Sequence, residues 1–225
     1  MGRILAELMP HEPEVHGLVG LMEIQASRLR ARVGPRGEPI LLLDQDRARW
    51  DHLLIGRGLR ALERAESSGG PTGPYTLQAA IAACHARART PGETDWPRIA
   101  ALYDALVKLT PSPVVELNRA VAVGMAFGAA AGLEMVDALT SEQSLRNYHL
   151  LPSVRGDLLA KLGRNEEARL QFERAASLTR NARERDLLLA RAASCDSPPG
   201  NVPHPPRQSD SPPRAALRAT PGDHK

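Results

Sequence analysis

The feature that most constrains this chain is a recurrence of paired amphipathic segments. Helical periodicity predicts Pro74 to Arg89 followed by Asp95 to Leu109, then Ser112 to Ala126 followed by Ala129 to Leu139, then Asn147 to Leu162 followed by Asn165 to Leu178. The first members of the three pairs begin 38 and 35 residues apart (112 − 74 and 147 − 112). A spacing this even describes one supersecondary unit used several times. Such a unit buries its apolar face against its neighbours, so the pattern dictates a stack.

The third pair shows which kind of stack. Gly156 lies in its first helix, and Ala168, Phe172 and Ala175 fall at regular offsets in its second. Small residues allow close approach while one large ring fills the space behind them, the arrangement of a tetratricopeptide (TPR) unit, whose period is about 34 residues. Tyr103 to Pro111 has the aromatic-to-proline spacing of the same grammar, and Pro111 stops its helix. Asn181 to Ala193 supplies a terminal capping helix, which a stack needs to cover its last apolar face. The predicted fold class is therefore all-α: a TPR-like helical-hairpin repeat stack with a disordered C-terminal tail.

Upstream of the pairs, residues 1–68 read as an N-terminal helical part. Ile4, Leu5 and Leu8 share a helical face, Pro13 to Val33 resume the pattern through Leu18, Met22 and Leu29, and Gly34 to Gly37 end it. After the apolar run Ile40 to Leu43, Asp44 or Asp46 is placed to cap a long helix carrying Trp50, Leu53, Leu54, Leu59 and Leu62. Residues 69–194 hold the repeats and capping helix. Residues 195–225 are rich in Pro, Ser, Arg and Asp and have little to bury, which predicts a disordered tail.

Composition narrows the function classes. Aromatic residues make up only 3% of the chain, which favours helices packed through small side chains over a β-rich architecture. A net charge of +3, with acidic and basic residues interspersed, does not by itself select nucleic acid. Cys84 and Cys195 are too few for a disulfide framework and fit a reducing cytoplasm. No leader-like apolar region opens the chain, and no run approaches the roughly 18 apolar residues of a membrane span.

Catalytic and metal motifs are equally sparse. Asp44 to Arg47 lacks the glycine and distal glutamate of a calcium loop, and Cys84 and His85 point in different directions on one helix. Ser68 to Pro74 lacks the lysine of a phosphate loop, and Gly56 and Gly58 lack a third glycine. No metal, no cofactor and no enzymatic activity are expected.

The candidate partner-binding residues follow from repeat geometry, since the first helix of each pair lines the groove. In the middle unit these are Asn118 and Arg119, in the third Asp157 and Lys161, and in the first Gln78 and His85. Such groups can bind the carbonyls or a carboxylate of an extended peptide, or they can knit neighbouring repeats together. The cluster Arg28, Arg30, Arg32 and Arg36 is the alternative nucleic-acid candidate, though neither interleaved aromatics nor a helix-turn-helix pattern accompanies it.

Several long stretches resemble one family: LLLDQDRARWD (Leu41 to Asp51), GPYTLQAAIAACHARA (Gly73 to Ala88), TDWPRIAALYDAL (Thr94 to Leu106), SPVVELNRAVAV (Ser112 to Val123) and YHLLPSVRGDLLAKLGRNEEA (Tyr148 to Ala168). Their order resembles the TPR-like C-terminal extension of bacterial extracytoplasmic-function, sigma-24-like RNA polymerase sigma factors. The resemblance covers about Gly2 to Leu189. It implies a regulatory module contacting sigma-factor core domains, RNA polymerase or a signalling protein. The DNA-reading domains that family members carry upstream are absent from this sequence, so no sequence-specific promoter binding is expected of the chain. A general TPR scaffold that recruits an unrelated protein is the competing expectation.

Overall fold

The computed structural model describes residues 2–68 and 72–195, with the side chain of Arg3 left aside. The expected tail beyond Cys195 lies outside the described residues. Within them the chain is all-α, with ten helices and no strand beyond one isolated bridge between Val33 and Pro39. The helices are α1 (Gly2–Leu8), α2 (Pro13–Ser27), α3 (His52–Ser67), α4 (Pro74–Arg87), α5 (Trp96–Leu109), α6 (Pro113–Phe127), α7 (Ala129–Ala138), α8 (Leu150–Lys161), α9 (Asn165–Leu178) and α10 (Ala182–Cys195). Each packs on the next, and α2 packs on both α3 and α4.

Helix starts follow from local chemistry. Proline opens α2, α4 and α6 at a position where no backbone N–H is required. Asp95 Oδ1 accepts from the Arg98 N–H to cap α5. After α8, Gly163 adopts φ +74°, and the N–H of Arg164 returns to the Leu159 carbonyl at 3.0 Å. A side chain at Gly163 would strain that left-handed turn, so glycine sets where α9 begins.

The last pair realises the predicted packing. Phe172 is 1% exposed, and a Cβ added at Gly156 would stand 2.8 Å from its ring. Ala168 and Ala175 are fully buried beside it, and Leu159, Leu188 and Ala192 complete the same apolar cluster. The glycine is thus the hole into which the phenylalanine fits, and α10 covers the far side.

The N-terminal part differs from expectation in two places. Instead of running to Val33, α2 ends at Ser27, whose hydroxyl turns back to the Ile24 carbonyl at 2.7 Å and whose own carbonyl accepts the Asp51 N–H at 2.9 Å. That long-range bond draws the backbone out of the helix. Neither Asp44 nor Asp46 caps the long helix. Asp46 caps a short 3-10 turn at Arg47–Arg49, and Asp51 Oδ1 caps α3 by accepting the N–H groups of Leu53 and Leu54, both at 3.0 Å. Trp50 therefore stands before α3, in extended backbone, and is buried there.

One apolar cluster joins the N-terminal helices to the first repeat helix. Ile24 of α2, Leu62 of α3 and Ala79, Ala80 and Ala83 of α4 form one cluster. At the other end of the chain, Arg183 of α10 donates to the Arg36 carbonyl at 3.2 Å, so the final helix comes back to the turn around Gly37.

Candidate partner-binding surface

The six candidate groove residues occupy three separate places. Asn118 is exposed on α6. Its neighbour Arg119 donates to Asp104 on α5 and, at 3.1 Å, to Glu116 on its own helix. Burial pulls the Arg119 pKa down, but the hydrogen bonds to Glu116 and Asp104 outweigh it and hold the pKa above its ordinary value. Asp157 accepts from Arg191, joining α8 to α10, and Lys161 lies 3.1 Å from the Met125 sulfur, joining α8 to α6. Gln78 donates to the Pro74 carbonyl at 3.1 Å within α4. No hydrogen bond among the described residues links one of these sets to another.

His85 has a different environment. Its ring meets Trp96 edge-on at 5.2 Å and is half-buried. Burial, then the charges of Arg28 and Arg47, push its pKa down to about 4, so the imidazole is neutral at physiological pH. Its seven-residue spacing from Gln78 placed both on one helical face, but the segment from Arg28 to Trp50 covers the C-terminal end of that face.

That covering segment carries the residues which sequence reasoning left without a role. Arg47 reaches the exposed carbonyls at the end of α4, donating through Nη1 to His85 O at 2.5 Å and Ala88 O at 2.7 Å. A cation here neutralises the negative pole of the helix. Trp50 is 4% exposed, with the Arg47 guanidinium 4.8 Å and the Arg28 guanidinium 5.8 Å from its ring centre. The sequence signal was present in DRARW, but the local pattern could equally describe a helix start.

The basic cluster does not form one exposed strip. Arg28 and Arg32 both donate to Gln25 Oε1, the latter at 2.7 Å. Burial, then Arg32 and Arg47, lower the Arg28 pKa to about 10. Arg36 lies apart on the turn that Arg183 contacts. Cys84 is buried among Leu77, Ile81 and Ile99, and burial raises its pKa. Among the described residues no three His, Cys, Asp or Glu side chains gather to hold a metal, and no helix is long and apolar enough to cross a membrane.

Comparison with known proteins gives two likenesses. Residues 1–66 match a family of unknown function, DUF6596, so that likeness spans α1 to the last turn of α3. An uncharacterized protein of Rhizobium meliloti (strain 1021) is 48% identical over 184 residues, which cover 82% of this chain and 43% of that protein. The chain thus spans less than half of that relative's length. No solved structure matches.

Proposed function

We propose that this chain is a regulatory protein-binding module of an RNA polymerase sigma factor, acting in transcription initiation in the cytoplasm by docking onto sigma-factor core domains or RNA polymerase. The observation that carries this reading is the continuous stack from α4 to α10, in which each helix packs on its successor. Stacks of this kind present long surfaces to other proteins. The resemblance of the repeat stretches to sigma-24-like extensions supplies the partner class. In this reading the chain is not an enzyme and does not recognise promoter sequence by itself, because none of the helices among the described residues carries the pattern of a base-reading helix-turn-helix.

The test is a binding titration of the purified chain against cognate sigma-factor core domains and against RNA polymerase, each immobilised separately. Saturable binding to either supports the reading. Absence of binding to both at tens of micromolar, with the chain folded by circular dichroism, overturns it and leaves a general scaffold. Sequence-selective retention of promoter DNA by the chain alone overturns the second half of the proposal.

A further inference from the structure

The connection between α2 and α3 gathers positive charge that the fold offsets only in part, through the carbonyl end of α4 and through Glu93 near Arg47. Arg28 and Arg32 share one neutral amide, Gln25, and Arg47 donates to two carbonyls and approaches the Thr94 hydroxyl at 3.5 Å. None of the three hydrogen-bonds a carboxylate. The nearby acids are engaged with backbone: Asp46 accepts from Ala48, Asp51 from Leu53 and Leu54, and Glu93 from Arg89. Guanidiniums drawn together repel one another, and Arg28, already disfavoured by burial, feels Arg32 and Arg47 in this way, while Glu93 offsets part of the charge of Arg47.

The same place holds nitrogen atoms without partners. Trp50 Nε1, Arg47 Nε and His85 Nδ1 are buried and make no hydrogen bond. Indole and guanidinium N–H groups can only donate, and a neutral imidazole can present its proton at Nδ1, so each of the three can serve an acceptor. A cavity of about 360 Å³ opens beside Arg47 and Trp50, lined also by His52, Arg87 and Arg89 with no acidic side chain. Trp50, more than nine-tenths buried, forms part of its wall. Unmet donors, incompletely compensated cations and a cavity thus lie together.

We propose that the Arg28, Arg47 and Trp50 cluster binds a small free oxyanion of the phosphate class, admitted through this cavity at the C-terminal end of α4. A tetrahedral anion can accept from donors arriving from several directions, and it supplies a negative charge to Arg28, whose side chain hydrogen-bonds only the neutral Gln25 amide. The ligand is a free ion because the indole and Nε donors lie beneath the surface, where a phosphate fixed in a polymer backbone does not reach. This site is independent of the partner-docking reading: it holds the segment between α2 and α3 against α4, away from Asn118 and Arg119.

The experiment uses the full chain carrying Trp96→Phe, which leaves Trp50 as the sole tryptophan. Inorganic phosphate is titrated at constant ionic strength set by potassium chloride, with Trp50 fluorescence and melting temperature as readouts. A saturable fluorescence change with a rising melting temperature is expected, since a ligand that binds only the folded state stabilises it. Arg28→Met removes one cation without touching the α4 carbonyls and should weaken phosphate binding about tenfold or more. Trp50→Phe deletes the indole donor while keeping a ring, and the phosphate-dependent rise in melting temperature should shrink. Circular dichroism establishes that each variant is folded. A response that never saturates, one reproduced by chloride, or one unchanged in both variants overturns the proposal. Tighter binding of a single-stranded oligonucleotide than of phosphate, abolished by Arg28→Met, also overturns it and makes the cluster a nucleic-acid site.

Discussion

The two ends of the stack are held together by different physics. Around α8, α9 and α10 the core is apolar: Phe172 fills the space left by Gly156, with Ala168, Ala175 and Leu188 around it, and the Arg191–Asp157 pair ties α10 to α8 beside it. Around α4 an apolar core is joined by polar contacts that close both helix ends and come from far away in sequence. Glu14 of α2 accepts from the N–H groups of Tyr75 and Thr76, at 2.7 and 3.0 Å, and from the Thr76 hydroxyl at 2.6 Å, closing the N-terminal end of α4. Arg47 closes the C-terminal end. One helix is thus capped at both poles by side chains outside the repeats, with a negative group at its positive end and a positive group at its negative end. A repeat can be extended by repeating itself, but its first unit needs a terminus built for it, and here α2 and the 28–51 segment supply that terminus.

The largest expected effect tests the apolar end. Phe172→Ala removes a ring that is 1% exposed and leaves a cavity behind Gly156, so it should cost about 3–5 kcal/mol in denaturant unfolding. Enlarging the hole's floor with Gly156→Ala should also destabilise, because the new methyl would stand 2.8 Å from the ring. A loss below about 1 kcal/mol for Phe172→Ala would mean that this end does not rest on the knob.

The polar end is tested by Glu14→Ala, which leaves the two α4 N–H groups and the Thr76 hydroxyl without their acceptor. A cost of about 2–3 kcal/mol is expected, smaller than that of Phe172→Ala and larger than that of an ordinary exposed cap. Hydrogen exchange sharpens the comparison. Protection should fall in the first turn of α4 and stay unchanged in α9, whereas Phe172→Ala should do the reverse.

This contrast explains what could be read from the sequence. Helices α5, α6, α7 and α9 lie within a residue or two of their predicted limits, because proline, aspartate and glycine signals sit next to the positions they control. The Phe172 knob was legible for the same reason, since its hole lies 16 residues away (172 − 156) at a repeat-fixed offset. The end of α2 and the cap of α3 were not. Ser27 leaves the helix through a bond to Asp51, and three aspartates, at positions 44, 46 and 51, compete for one cap in a stretch of eight residues (44 to 51). The last of them caps α3, next to the buried Trp50 and with its own N–H on the Ser27 carbonyl. The site residues divide in the same way: repeat geometry assigned Asn118 and Arg119 to α6, but nothing local to His85 reports Arg28 and Arg47 from a different segment.

His85 gives a pH-dependent version of the comparison. Arg28 and Arg47 face the imidazole, Trp96 lies edge-on to it, and its pKa falls to about 4 from an ordinary value of 6.5. The unfolded chain takes up this proton below about pH 6.5 while the folded chain does not, so stability is unaffected above that pH and declines as pH drops toward 4. The expected loss is on the order of 1–3 kcal/mol between pH 7 and 4. His85→Gln should flatten that part of the profile. An unchanged profile in His85→Gln would show that the imidazole is not held neutral by its surroundings.

The smallest expected effect on stability belongs to Arg119, and it decides what that residue is for. Its ion pairs with Asp104 and Glu116 join α5 to α6, but the side chains remain 33%, 50% and 31% exposed, so water and salt screen them. Arg119→Ala should therefore lower stability by less than about 1 kcal/mol. In the docking proposal the same change weakens capture of sigma-factor core domains or RNA polymerase about tenfold, because a guanidinium already oriented by two carboxylates loses little further freedom on meeting a partner. Melting and binding measured on one variant separate the two roles. Weakened capture with near-native melting supports a docking residue on α6. Unchanged capture together with a stability loss above about 1 kcal/mol would assign Arg119 to holding α5 against α6, and the docking surface would have to lie elsewhere on the stack.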